Sequence, residues 1–145
     1  METLLILGLV GVLAYYAFTR ANAPVSYGSN VPTGLGYLAS TDIANYASSA
    51  GFTGDDVNTA VAIALAESSG NADAYNPETE AGAQPGMGSY GLWQIFLTDH
   101  PEAQGQNLYD PQTNANFAFS IYAARGDFSA WSSYTSGAYQ KFLGS

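Results

Sequence analysis

Glu67 is the residue best placed by sequence to do chemistry. It follows Val61-Ala62-Ile63-Ala64-Leu65-Ala66, the apolar end of a helical pattern. A carboxyl group there faces the negative end of the helix dipole, which disfavours its charge. Partial burial would add a desolvation penalty in the same direction. A carboxylic acid that keeps its proton near neutral pH can protonate a leaving oxygen. Without burial, the same residue is a solvated helix-end glutamate. Gln94 is the second candidate, inside the run Tyr90-Gly91-Leu92-Trp93-Gln94-Ile95. A buried glutamine must find partners, and its amide both donates and accepts, which suits hydroxyl and N-acetyl groups of sugars. The bland alternative is a glutamine that ties down a loop. Gly91 in that run permits close backbone approach, and Trp93 offers an aromatic face. The 11 tyrosines, two tryptophans and seven phenylalanines belong mostly to a core in so small a domain, although pyranose rings also pack on such faces.

Other titratable residues carry weaker signals. His100 sits in Asp99-His100-Pro101, which reads as a turn. Asp73, Glu78 and Glu80 follow Glu67 in a turn-rich stretch; one could supply a second carboxylate, and each alone is a solvated loop acid. The chain has no cysteine and a single histidine, which excludes disulfides, thiolate chemistry and multi-histidine metal centres. Its 12 acids face three bases (Arg20, Arg125 and Lys141), for a net charge of -9. Nothing in this balance could neutralise a run of phosphates, so nucleic acid is excluded as a partner, and attraction to anionic lipid is disfavoured.

The elements that must position these residues fit one domain of a 145-residue chain. A first helix starts near Ser40-Thr41-Asp42 and ends by Gly51. A second starts at Thr53-Gly54-Asp55-Asp56 and carries an apolar stripe of Val57, Val61, Ala64 and Leu65 into Glu67 and Ser68, stopping at Gly70. Residues 71–89 are rich in Asn, Gly and Pro and have room for a small hairpin. Asp110-Pro111 is a helix start with Asp as cap and Pro in the first turn; that helix ends at Gly126. The aromatic segment from Phe128 to Leu143 predicts two short helices around Gly137. The fold class is α+β and mainly helical.

Ahead of this domain, Thr3 to Thr19 holds 17 residues without a charge. As a helix it would extend roughly 26 Å, close to the ~30 Å hydrocarbon core of a bilayer. Two readings compete. Ala21-Asn22-Ala23 is a small-x-small cleavage site, so the segment could be a signal peptide that releases a secreted protein after Ala23. The first residues, however, carry Glu2 and no base, which favours an uncleaved single-pass anchor in a lipid membrane. Residues 1–20 are thus the anchor or signal segment, 21–36 a Gly/Pro/Ser/Asn-rich tether without a packing face, and 37–145 the globular domain.

Four motifs in order resemble the soluble lytic transglycosylase and goose-type lysozyme superfamily, in its phage and bacterial lysozyme-like branch. They are Glu67-Ser68-Ser69-Gly70-Asn71, Gly91-Leu92-Trp93-Gln94-Ile95, Leu108-Tyr109-Asp110-Pro111 with Asn114 and Ala115, and Trp131-Ser132-Ser133-Tyr134 running on to Gly137 and Tyr139. The likeness covers Tyr37 to Phe142. It implies a lysozyme-like fold and cleavage of the β-1,4 bond between N-acetylmuramic acid and N-acetylglucosamine in peptidoglycan. Glu67 would be the acid, Ser68 a hydrogen-bonding group near the scissile sugar, Gln94 part of the cleft floor, and Tyr134 a contact to Glu67 or the N-acetyl group. No metal or cofactor is implied. Phe96 stands where goose-type lysozymes have an Asp, and Ser89 and Tyr90 stand where related phage domains have one. That departure favours a one-carboxylate route to a 1,6-anhydro sugar over hydrolysis. A non-catalytic glycan-binding or structural membrane protein is the rival of another class. A small anchored wall-cutting domain suits a bacterial envelope or a virion membrane, with other virion proteins as partners in the latter.

Overall fold

The computed structural model describes residues 30–77 and 84–145. The expected membrane segment over Thr3–Thr19, residues 21–29 of the tether, and Glu78 and Glu80 lie outside the described residues. Among the described residues no helix is long and apolar enough to cross a membrane.

The described residues form four α-helices and a small sheet. Helix α1 runs over Ser40–Ala50 and α2 over Asp55–Ser68. Three two-residue strands follow: β1 (Tyr75–Asn76), β2 (Ser89–Tyr90) and β3 (Ile95–Phe96). A 3-10 turn at Pro101–Ala103 leads to α3 (Pro111–Arg125), then α4 (Ser132–Thr135) and a closing 3-10 helix at Ala138–Phe142. The sheet is antiparallel in the order β1-β2-β3, with Tyr75 opposite Tyr90 and Tyr90 opposite Ile95. This is the mainly helical α+β architecture expected, with the hairpin extended to three strands.

Local chemistry accounts for the helix ends. Asp110 caps α3: its Oδ2 accepts from the Thr113 amide at 2.8 Å, and Pro111 fills the first turn, where no amide partner is needed. Gly126 ends α3 in the left-handed conformation. Gly51 ends α1 at φ 128°, and a Cβ there would lie 2.7 Å from the Phe119 ring, so the residue serves both turn and packing. Helix α1 has Ala39 at its cap with no side-chain hydrogen bond; the Ser40-Thr41-Asp42 run forms its first turn instead.

Helix α2 is the centre of the molecule. It packs against α1, α4 and the closing 3-10 helix. Ala60, Val61, Ala62, Ile63 and Ala64 are all buried in succession, so this stretch is covered on every side rather than along the one stripe read from sequence. Small alanines let the surrounding elements approach closely. A second apolar focus joins α1, α3 and the segment before α4: Phe52 meets Phe119 edge-on at 5.1 Å and stacks on Phe128 at 5.6 Å.

The segment Asn30–Gly36, read from composition as tether, is laced onto the domain. Asn30 Oδ1 accepts from the Leu108 amide, and the Asn107 side chain bonds both the amide and the carbonyl of Val31. The Asp73 carboxylate accepts from Thr33 N at 2.6 Å, Thr33 Oγ1 at 2.8 Å and Gly36 N at 3.1 Å. Side-chain carboxylates and amides satisfy the strap's backbone, a pairing that composition alone does not reveal. Asp73 is therefore a strap anchor.

Candidate active site

Glu67 occupies the penultimate position of α2, half-buried, where helix packing fixes its backbone. The chain then turns sharply. Ser69 and Gly70 both take the left-handed conformation, with φ of 56° and 79°, and the Ser69 amide closes on Leu65 O at 2.9 Å. Glu67 lines a cavity of about 380 Å³, against 210 and 290 Å³ for two others on the molecule. Its volume lies within the range of small-ligand sites, roughly 300–1,000 Å³.

The sheet supplies the facing wall. Gly91 to Gln94 form the turn between β2 and β3, closed by Gln94 N donating to Gly91 O at 3.2 Å. Gln94 adopts φ 48°, one of two described non-glycine residues at positive φ. A left-handed residue of this type costs about 1 kcal/mol, and such strain concentrates at functional sites. The Gln94 side chain is held at both ends: Nε2 donates to Gly91 O at 3.0 Å, and Oε1 accepts from Asn76 Nδ2 at 2.6 Å. Asn76 and Gln94 thus form a cross-strand amide pair in the cavity wall. Trp131 and Ser132, at the start of α4, form a further side.

The turn's own position is set from below. Asn114 on α3 is fully buried and makes three hydrogen bonds: its Oδ1 accepts from Trp93 N at 2.9 Å, and its Nδ2 donates to Tyr90 O at 2.8 Å and Leu108 O at 2.9 Å. A Cβ on Gly91 would lie 2.3 Å from Leu108 O and 2.5 Å from Asn114 Nδ2. Gly91 is there so that this backbone can lie against Asn114. Two indoles extend the framework. Trp93 Nε1 donates to Ala60 O of α2, and Trp131 Nε1 donates to Trp93 O, both at 2.9 Å.

Of the residues predicted from sequence, Glu67 and Gln94 come together at one cavity. The other four do not line it. Trp93 is 1% exposed and is a core residue, because its ring is spent on α2. Gly91 is buried behind the turn for the packing reason above. The Ser68 hydroxyl donates to Ala64 O, one turn back, at 2.9 Å. The Tyr134 ring packs between Phe128 at 5.7 Å and Tyr139 at 5.0 Å, joining α4 to the closing helix.

Residues singled out for less, or not at all, stand in the cavity wall: Asn76, Ser89, Asp99, His100, Trp131 and Ser132. Asp99 places a second carboxylate at the cavity that holds Glu67. His100 Nδ1 lies 3.2 Å from Glu102 Oε1, so the imidazole is oriented by a carboxylate. Ser89, Asp99 and His100 had a signal in the sequence, proximity to the Gly91–Gln94 run, since a tight turn between short strands brings both flanks to the same edge; Asn76, Trp131 and Ser132 lie too far along the chain for that signal.

A family model described as a lysozyme-like domain matches residues 44–133, more than half of the chain. The chain belongs to the lysozyme-like domain family. No curated protein and no solved structure matches it. The matched span of this lysozyme-like domain runs from α1 to the start of α4 and takes in Glu67, Gln94 and Trp131. Membership supports a peptidoglycan-cleaving enzyme with a small sheet set beside a helical core. No group of three or more metal-ligating side chains occurs among the described residues.

Proposed function

We propose that this lysozyme-like domain is a lytic transglycosylase that cuts the bond between N-acetylmuramic acid C1 and N-acetylglucosamine O4, with Glu67 as the catalytic acid and base. The observation that carries this reading is that Glu67 and Gln94 line one sugar-sized, polar-walled cavity. In the first step the Glu67 carboxyl donates its proton to O4 as the C1–O4 bond breaks. The substrate's own N-acetyl oxygen bonds to C1 in its place. In the second step the Glu67 carboxylate takes the proton from the muramic O6 hydroxyl. O6 then bonds to C1, the bond to the N-acetyl oxygen breaks, and a 1,6-anhydro sugar leaves. The Asn76–Gln94 amide pair offers hydrogen bonds to sugar hydroxyls or the N-acetyl group. A glycan strand seated over the half-buried Glu67 would exclude water that competes with O6.

A second reading has one observation in its favour. Asp99 lines the same cavity, and the common inverting and retaining routes of hydrolysis use a second carboxylate. Product analysis of digested cell walls separates the two. Anhydro ends that persist in Asp99→Asn support the transglycosylase. Reducing ends in place of anhydro ends make the protein a muramidase and overturn the proposal, and their loss in Asp99→Asn would identify Asp99 as the second carboxylate. In either case Glu67→Gln should lose roughly 10²–10⁴-fold in rate, the contribution of a positioned proton donor. Wall clearing by Glu67→Gln at the wild-type rate would show that Glu67 is not the acid; a wild-type chain that clears no wall would leave the non-catalytic glycan-binding reading.

The proposal includes a tether. Residues 3–19 would anchor the domain in an envelope or virion membrane, keeping a chain of net charge -9 close to an anionic wall that does not attract it. Mass spectrometry of the mature chain tests this; an N-terminus at Pro24 would overturn it.

A further inference from the structure

A second cavity, of about 290 Å³, adjoins the Glu67 cavity. His100 and Ile121 line both, so together they form the partition between them. Beyond that partition the second cavity has an apolar floor of Phe117, Ile121 and Ala124 and carries one group of each charge, Glu102 and Arg125. Only three bases occur in the chain, and among the described residues Arg125 is the one that lines either cavity. It makes no ion pair among the described residues. The nearby Asp127 carboxyl is held below its usual range first by hydrogen bonds from Ser129 and least by Arg125, so the guanidinium charge is not spent there. Glu102 is engaged with His100 on the partition.

We propose that this second cavity seats the first residues of the peptide stem borne by the muramic sugar whose bond is cut. The inference rests on the reading of Glu67 as the acid. The stem hangs from O3 of that sugar, two ring atoms from the carbon at which the bond breaks, so it must leave the Glu67 cavity at its edge. Its chemistry matches the second cavity. Stem peptides are rich in alanine methyls, which suit an apolar floor. They carry free carboxylates, which suit an unpaired guanidinium with two parallel donors, and often an ammonium group, which suits Glu102. A volume of about 290 Å³ has room for the leading residues but not for a whole stem.

The test compares, for the full chain, kcat/KM on glycan strands bearing stems with kcat/KM on strands freed of them by an amidase. A preference for stem-bearing strands is expected in the wild type. In Arg125→Ala that ratio should fall by up to roughly five-fold, the scale of a solvent-exposed ion pair, and further in Arg125→Glu. The preference should weaken in high salt and with stems whose carboxylates are amidated. Lys141→Ala, a base lining neither cavity, should leave the ratio in place. Absence of a wild-type preference, or a ratio unmoved by both Arg125 variants, overturns the inference. Binding of a disaccharide-tripeptide and of the bare disaccharide, followed by calorimetry, separates this outcome from failure of the catalytic reading. If neither strand is cut but the tripeptide strengthens binding through Arg125, Glu67 fails as the acid and the stem site stands. If neither cutting nor binding responds to the stem, the stem site fails.

Discussion

Asn114→Ala should destabilise this domain strongly. The side chain is fully buried and makes three hydrogen bonds at 2.8–2.9 Å, all to backbone groups of the segments that carry the Gly91–Gln94 turn. Truncation removes one hydrogen bond each from the Trp93 amide, the Leu108 carbonyl and the Tyr90 carbonyl. Each loss of this kind costs about 1–3 kcal/mol when the group stays buried. A water entering the vacated space would recover part of it. The expected destabilisation is therefore about 4 kcal/mol, against a typical total of about 5–15 kcal/mol. Urea denaturation followed by tryptophan fluorescence reads it directly, since Trp93 and Trp131 are both joined to this network. A loss below about 1 kcal/mol with an unchanged denaturant slope would refute the view that Asn114 holds the turn. The folded fraction of the variant should also show reduced activity, because Gln94 closes the same turn.

Gln94→Gly should cost little stability, since relief of about 1 kcal/mol of left-handed strain offsets the lost amide bonds, while wall cleavage drops; a melting temperature and an activity that fall together would argue against strain at this position. Ser133→Ala should raise stability by up to about 1 kcal/mol, because the buried Ser133 hydroxyl has no hydrogen-bond partner among the described residues; equilibrium unfolding checks it. Asp73 loses some preference for charge through desolvation but gains more from the Thr33 hydroxyl and the amides of Gly36, Thr33 and Gly34, which hold its carboxyl below 3.8. Its contribution is thus complete above pH 3.8 and is lost as pH falls through the lowered value, so Asp73→Asn should flatten the acid limb of the stability profile. Tyr122 is raised above 10.0, first by its hydrogen bond to Asp56, so stability should fall as pH rises past 10 and Tyr122→Phe should remove that alkaline dependence.

The helices were legible because each carries a local signal: a cap and proline at Asp110-Pro111, an alanine-rich run before Glu67, a glycine at each stop. The sheet was not, because strands of two residues are too short for alternation to register. The site divided along the same line. Glu67 and Gln94 were found because each sits at a marked position, a helix end and a polar break in an apolar run. Trp93 and Trp131 were exchanged in role, since the residue type does not say which indole faces α2 and which faces the cavity. Asn76, Asp99 and His100 come from turn-rich stretches whose placement depends on the register of β1 and β3, a long-range pairing. The strap escaped notice for a similar reason: its partners, Asp73 and Asn107, lie 40 and 76 residues away.

The cavity's geometry is set by buried side chains, of which Trp131 also lines it. Trp93 joins the turn to Ala60 on the same helix that presents Glu67, and Trp131 joins the third wall to Trp93. Asn114 fixes that turn to α3. Three walls are thereby tied through backbone carbonyls and amides by side chains that are at most 6% exposed. Side chains on the cavity surface then act on a frame they do not support. The carboxylates Glu67 and Asp99, the Asn76–Gln94 pair and the partition at His100 can change the reaction or its specificity at little cost to the fold, whereas changes at Asn114 or Trp93 should abolish both together. Loss of activity with stability intact at the first group, and joint loss at the second, is the pattern this division requires.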